Sequence, residues 1–94
     1  MKALIIDDEQ NSAEALEEML RLVAPDLTLV GKAFSAQEGI EKINAHAPEL
    51  VFLDIHMPHM TGFEMLEALG KISFEVVFTT AYDQYALRAF KVAA

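Results

Sequence analysis

Three carboxylates carry the chemistry open to this sequence: Asp7 and Asp8, which follow the apolar run Leu4-Ile5-Ile6, and Asp54, which closes the run Leu50-Val51-Phe52-Leu53. Both runs lack period-two alternation, as expected of strands buried on both faces of a parallel sheet covered by helices. In open α/β sheets, ligands and chemistry gather outside the carboxyl ends of the strands, which is where both runs deliver their acids. Neighbouring strands lie about 4.8 Å apart, so if these two are neighbours the three side chains share one pocket. Like charges so close raise one another's pKa unless a cation compensates. An all-oxygen cluster with little room suits a hard ion such as Mg²⁺, which keeps several waters and takes one or two carboxylates. A divalent metal site at Asp7, Asp8 and Asp54 is therefore expected. An Asp after a strand can also serve only to cap a turn, and Glu9 suits the acidic first turn of a helix. Neither explains why two strands end in the same way.

The elements that must position these acids alternate along the chain. Lys2 to Ile6 reads as a first, central strand, and from about Gln10 to Ala24 the apolar residues Ala13, Leu16, Leu20 and Val23 recur at helical spacing until Pro25-Asp26 stops them. Leu27 to Ala33 is a less thoroughly apolar strand, expected at an edge. Ser35 and Glu38 form a capping box before a helix that turns Ala36, Ile40 and Ile43 inward and ends before Pro48. After the strand that ends in Asp54, Pro58 fixes a loop. Thr61 and Glu64 repeat the capping box, and a helix over about Gly62 to Leu69 turns Phe63, Leu66 and Leu69 or Gly70 toward the sheet. Val76 to Thr80 is a β-branched and aromatic fourth strand, and Asp83 can cap a last helix holding Tyr85, Ala86, Leu87, Ala89 and Phe90. The order βαβαβαβα with short connections predicts right-handed crossovers and a parallel sheet between helices.

Composition narrows the function classes. A chain of 94 residues is one domain at most, more than half of it apolar, with no run long enough to span a bilayer. Asp7-Asp8-Glu9 interrupts the N-terminal apolar stretch too early for an export signal. The absence of cysteine excludes a disulfide framework and a thiolate metal site, and suits a reducing cytoplasm. A formal charge of −8 argues against these residues gripping nucleic acid; any contact with DNA would belong to another domain.

Taken together, Leu4-Ile5-Ile6-Asp7-Asp8-Glu9, the run from Val51 through Asp54, Pro58 and Gly62 to Glu64, and Val77-Phe78-Thr79-Thr80-Ala81-Tyr82 resemble the receiver domain of two-component response regulators. The tract from Ala81 to Phe90 further resembles the subgroup whose receivers precede a LytTR-type DNA-binding domain. The resemblance implies a flavodoxin-like (CheY-like) parallel sheet of strand order 2-1-3-4 with helices on both faces. It implies Asp54 as phosphoacceptor, and Asp7 and Asp8 as the acidic pair that holds Mg²⁺ with Asp54 and the backbone carbonyl of His56. The phosphodonor would be the phosphohistidine of a sensor histidine kinase, acting in the cytoplasm. Thr79 and Thr80 point to opposite faces of their strand, so only one can serve the pocket. The resemblance selects Thr80, followed by Ala81, as the switch hydroxyl. His56 and Tyr82 flank the acceptor and the switch residue, where two bulky groups are expected to slow self-dephosphorylation.

The resemblance treats residues 1–94 as one receiver domain lacking its fifth strand, last helix and output domain, since a complete receiver ends its fifth strand in Lys-Pro. Lys91 lies in or just after the expected last helix and is not that lysine. Val76 to Phe78 would then form a bare sheet edge, from which self-association, including a strand-exchanged dimer, is expected. Two other readings compete with the receiver. One is an interaction module that works without phosphorylation. The other is a Mg²⁺-dependent phosphohydrolase that forms an aspartyl phosphate, although those enzymes carry nucleophile and acid two residues apart on the first strand, unlike the adjacent Asp7-Asp8.

Overall fold

The first strand, β1 (Lys2–Ile6), explains the architecture: Ala3, Leu4, Ile5 and Ile6 are all fully buried, so apolar layers must cover both faces. The computed structural model describes residues 1–79 and, as backbone, 88–91. Its further elements are α1 (Gln10–Val23), β2 (Thr28–Ala33), α2 (Ala36–His46), β3 (Leu50–Asp54), α3 (Gly62–Leu69), β4 (Glu75–Thr79) and β5 (Arg88–Lys91). The sheet order is β2-β1-β3-β4-β5, and β1 to β4 are mutually parallel. The expected α/β fold with strand order 2-1-3-4 is thus present.

Alternation along the strands sorts two cores. Leu4, Ile6, Val51, Leu53, Val76 and Phe78 pack with Ala36 and Ile43 of α2 and Met65 of α3. Ala3, Ile5 and Phe52 pack on the other face against Ala13 of α1, with Leu16 and Leu20 beside them. Burying each large side chain contributes roughly 1.5–3 kcal/mol, so the two central strands dominate stability. They also set the register that matters for function. Ile6 pairs with Leu53, which puts the next residues, Asp7 and Asp54, side by side where the strands end.

Helix ends are closed largely as the sequence predicts. The Thr61 hydroxyl accepts from the Glu64 amide at 3.1 Å, and Glu64 Oε1 accepts from the Thr61 amide at 2.9 Å, a complete capping box. At α2 the Ser35 hydroxyl accepts from the Glu38 amide, but the Glu38 carboxylate reaches back one residue farther, to the amide of Phe34. Ala47 closes α2 in the left-handed region at φ 47°, ψ 58°, a conformation that crowds a Cβ. Ala47→Gly should raise unfolding free energy by about 0.5–1 kcal/mol, read as a higher urea midpoint at unchanged slope. A lower midpoint would show that the Ala47 methyl makes a contact worth more than the strain.

Three expectations need correction. Val23 is 70 % exposed, because the helical period carries the inward line of α1 from Leu20 to the half-buried Ala24. In α3 it is Met65 that is fully buried, whereas Phe63 is half exposed and only tilts its ring against Phe78, with centroids 4.9 Å apart. Arg88 to Lys91, expected within a last helix, is a strand that pairs antiparallel with β4, Val76 opposite Phe90 and Phe78 opposite Arg88. The remainder of that expected helix, Tyr85 to Leu87, lies outside the described residues. The unpaired backbone groups along β4 outweigh the helical periodicity of the tract, and the edge is filled from within the chain. The bare edge on which a strand-exchanged dimer was expected is therefore not there.

Candidate metal centre

Asp7 follows the last residue of β1, Asp8 begins the turn into α1, and Asp54 is the last residue of β3. Each offers a carboxylate oxygen, and the three lie within 4.8 Å of one another. The β1–β3 register alone produces this convergence, since it needs no loop to fold back. The Asp7 carboxylate is oriented by the Glu9 amide, which donates to Oδ1 at 2.9 Å, and the Asp7 amide donates to the Ala33 carbonyl of β2. Asp54 Oδ1 accepts from the amide of His56 at 3.3 Å, so the chain turns back over this carboxylate as it leaves the strand. Asp54 is the most buried of the three, 8 % exposed.

The electrostatics follow from that placement. Burial pushes the Asp54 carboxyl up to about 7, the charge of Asp7 adds to the rise, and the His56 amide works against it. Asp7 is also raised, first by burial and then by the charges of Asp8 and Glu9, against the opposing Glu9 amide. Ion pairs join Arg21 to Glu17 and Glu18 and Lys32 to Glu17, on α1 and β2 away from the cluster. Three crowded acids that offer only carboxylate oxygens make a site that a hard divalent ion fits and a thiolate- or imidazole-preferring ion does not. Mg²⁺ matches this donor set.

Residues 3–94 match the family described as the response regulator receiver domain. The chain belongs to the response regulator receiver family. Over 92 residues, 97 % of the chain, this receiver is 48 % identical to a response regulatory protein of Vibrio cholerae, of which it covers 38 %. It is 44 % identical, over its whole length, to the sensory transduction protein LytT of Enterococcus faecalis, of which it covers 39 %. The chain thus spans about two-fifths of the length of the curated relatives it matches. Among solved structures, the response regulator domain of Thermotoga maritima CheB superposes with a TM-score of 0.77 at 27 % identity, covering 86 % of this chain and 60 % of that one. A DNA-binding response regulator of the LuxR family from Staphylococcus aureus gives 0.77 at 25 % identity, covering 87 % and 69 %.

Of the residues singled out from the sequence, the receiver brings Asp7, Asp8 and Asp54 together and sets His56, exposed, just beyond them. Thr80 and Tyr82 lie outside the described residues. Thr79, the alternative hydroxyl, is the register partner of Asp54. His46 ends α2, where its carbonyl accepts from Lys2 Nζ at 2.7 Å, and His59 sits in the loop at φ 69°; both are exposed and stand apart from the acids. Met57 and Met65 are buried in the core, as expected of packing residues. Gly62, the first residue of α3, lies with its backbone against the strand end that carries Asp54. Only the turn's three-dimensional path reveals that contact.

Proposed function

We propose that Asp54 accepts a phosphoryl group from the phosphohistidine of a sensor histidine kinase, and that the domain thereby acts as the phosphorylation-controlled input of a response regulator. The observation that carries this reading is the acid cluster at the ends of β1 and β3, with Asp54 its most buried member. An Asp54 carboxylate oxygen attacks phosphorus, the P–O bond forms as the P–N bond breaks, and the bonding pair returns to the imidazole ring of the donor. Asp7 and Asp8, with Asp54 and the backbone carbonyl of His56, would hold Mg²⁺. When bound, the ion supplies the positive charge that offsets the charge developing on the phosphoryl oxygens. Thr80 supplies the hydroxyl that moves toward the new phosphoryl group and reports its presence to the rest of the molecule. His56 and Tyr82 slow attack of water on the aspartyl phosphate.

The relatives are more than twice as long as this chain, and one of the similar solved proteins is named as DNA-binding. We assign the output to a DNA-binding domain elsewhere in a longer protein, in the cytoplasm. Among the described residues no helix is long and apolar enough to cross a membrane. The test is incubation with acetyl phosphate, with and without Mg²⁺, followed by intact mass and peptide mapping. One phosphoryl group on Asp54 that needs Mg²⁺ supports the proposal. A folded protein that takes up none is an interaction module, and steady release of phosphate from many esters would mark a phosphohydrolase.

A further inference from the structure

Gly62 opens α3 with its backbone against the end of β3. Its amide donates to the carbonyl of Ile55 at 2.9 Å, and the capping box of Thr61 and Glu64 fixes the helix at that point. A Cβ added to Gly62 would stand 2.6 Å from the backbone oxygen of Asp54, with Leu53 Cγ at 3.1 Å and Ile55 Cα at 3.3 Å around it. Carbon and carbonyl oxygen ordinarily meet at about 3.3 Å, so a methyl group here forces a displacement of about 0.7 Å. The obstructing atom is main chain at the buried end of β3, so rotating a side chain away cannot relieve it. The neighbouring contacts block the simplest alternative escape: Leu53 and Ile55 belong to the packed core on the α2–α3 face.

We propose that Gly62 is a positioning residue for the acceptor: its missing side chain lets the start of α3 clamp the end of β3 at the one placement in which Asp54 meets Asp7 and Asp8. The inference rests on the reading of this cluster as the metal and phosphoryl site. Such sites tolerate errors of about 0.5 Å, and a misplacement of about 1 Å can cost a hundredfold in rate. Gly62→Ala therefore moves Asp54 by enough to matter, while leaving every functional side chain in the sequence.

The decisive measurement is Mg²⁺ affinity, followed through the amide resonances of Glu9 and His56, beside thermal stability and labelling by acetyl phosphate. Gly62→Ala should weaken Mg²⁺ binding about tenfold or more and slow labelling at saturating Mg²⁺ to a similar extent. Met65→Ala, which empties core volume under the same helix and adds no atom against the Asp54 carbonyl, should lower the melting temperature yet keep Mg²⁺ affinity within about twofold. Thr61→Ala loosens the clamp without adding atoms and should give a smaller loss of Mg²⁺ affinity; it decides the matter should Gly62→Ala not fold. Wild-type affinity in a folded Gly62→Ala, or in Thr61→Ala when the former is unfolded, overturns the proposal, as does an equal loss in Met65→Ala. If the wild type binds Mg²⁺ but takes no phosphoryl group, the acceptor reading fails while the affinities still judge Gly62. No Mg²⁺ binding by the wild type overturns both.

Discussion

Asp54→Asn abolishes phosphoryl uptake from acetyl phosphate, a loss of about a thousandfold or more, and at the same time raises the melting temperature of the Mg²⁺-free protein at pH 8. The two effects have one cause. An amide has no anionic oxygen to attack phosphorus, so the covalent step disappears. The same replacement removes one of three carboxylate charges whose oxygens lie within 4.8 Å of one another, at the position where burial makes the charge least welcome. Asp54 is raised to about 7, and at pH 8 the folded state bears the cost of holding it ionised beside Asp7. Because Asp7 and Asp8 are half open to solvent, screening leaves only part of that cost to recover, about 1 kcal/mol. In a domain of this size that is about 4–8 °C in melting temperature. The opposite sign, a folded Asp54→Asn that melts lower than wild type, would mean that the cluster is not under like-charge strain. The trade is the familiar one between a destabilised site and its activity.

The pairing that creates this strain is legible in the sequence: period marks both strands as interior, and the resemblance to receivers supplies the strand order that makes them neighbours. Ala3 to Ile6 and Leu50 to Leu53 offer no polar face, so both strands had to be interior, and interior parallel neighbours end together. The caps were equally legible, since Ser35 and Thr61 act within four residues of themselves. What could not be read locally was decided by distant partners. Arg88 to Lys91 carries a helical pattern, yet the otherwise unpaired edge of β4, ten or more residues earlier in each pair, recruits it as a strand. Phe63 is the larger apolar side chain at the start of α3, yet the direction in which α3 crosses the sheet gives the interior to Met65. Gly62 sat in plain view within a motif, but its purpose is a distance to a carbonyl eight residues back around a turn. Sequence period reveals which residues face a core; it does not reveal which backbone atoms must nearly touch.

The pH dependence of stability should reverse when Mg²⁺ is added. Without the ion, Asp54 and Asp7 both have raised carboxyl pKa values in the folded state, so between about pH 4 and pH 7 the folded protein binds more protons than the unfolded chain. Their contribution to stability is therefore fully present at low pH and is lost as pH rises through about 7. Glu17 works in the other direction: its hydrogen bond to Lys32 holds the carboxyl below its usual range, and that contribution fades only in acid. Comparing pH 5.5 with pH 8 therefore leaves Glu17 out and weighs the acid cluster. The Mg²⁺-free protein should melt lower at pH 8. Mg²⁺ binds the ionised carboxylates of the folded state, so at a hundred times its dissociation constant it adds about 2.7 kcal/mol at pH 8. That is a rise of roughly 10–20 °C on the scale for a small domain. At pH 5.5 the ion must first displace a proton from Asp54, and the rise should shrink by more than half. Asp54→Asn should flatten the Mg²⁺-free profile across this window and remove most of the Mg²⁺ response. Melting curves at the two pH values, with and without Mg²⁺, for both proteins, complete the test. A Mg²⁺ shift of equal size at both pH values would place the bound ion away from Asp54 and leave the cluster without a metal.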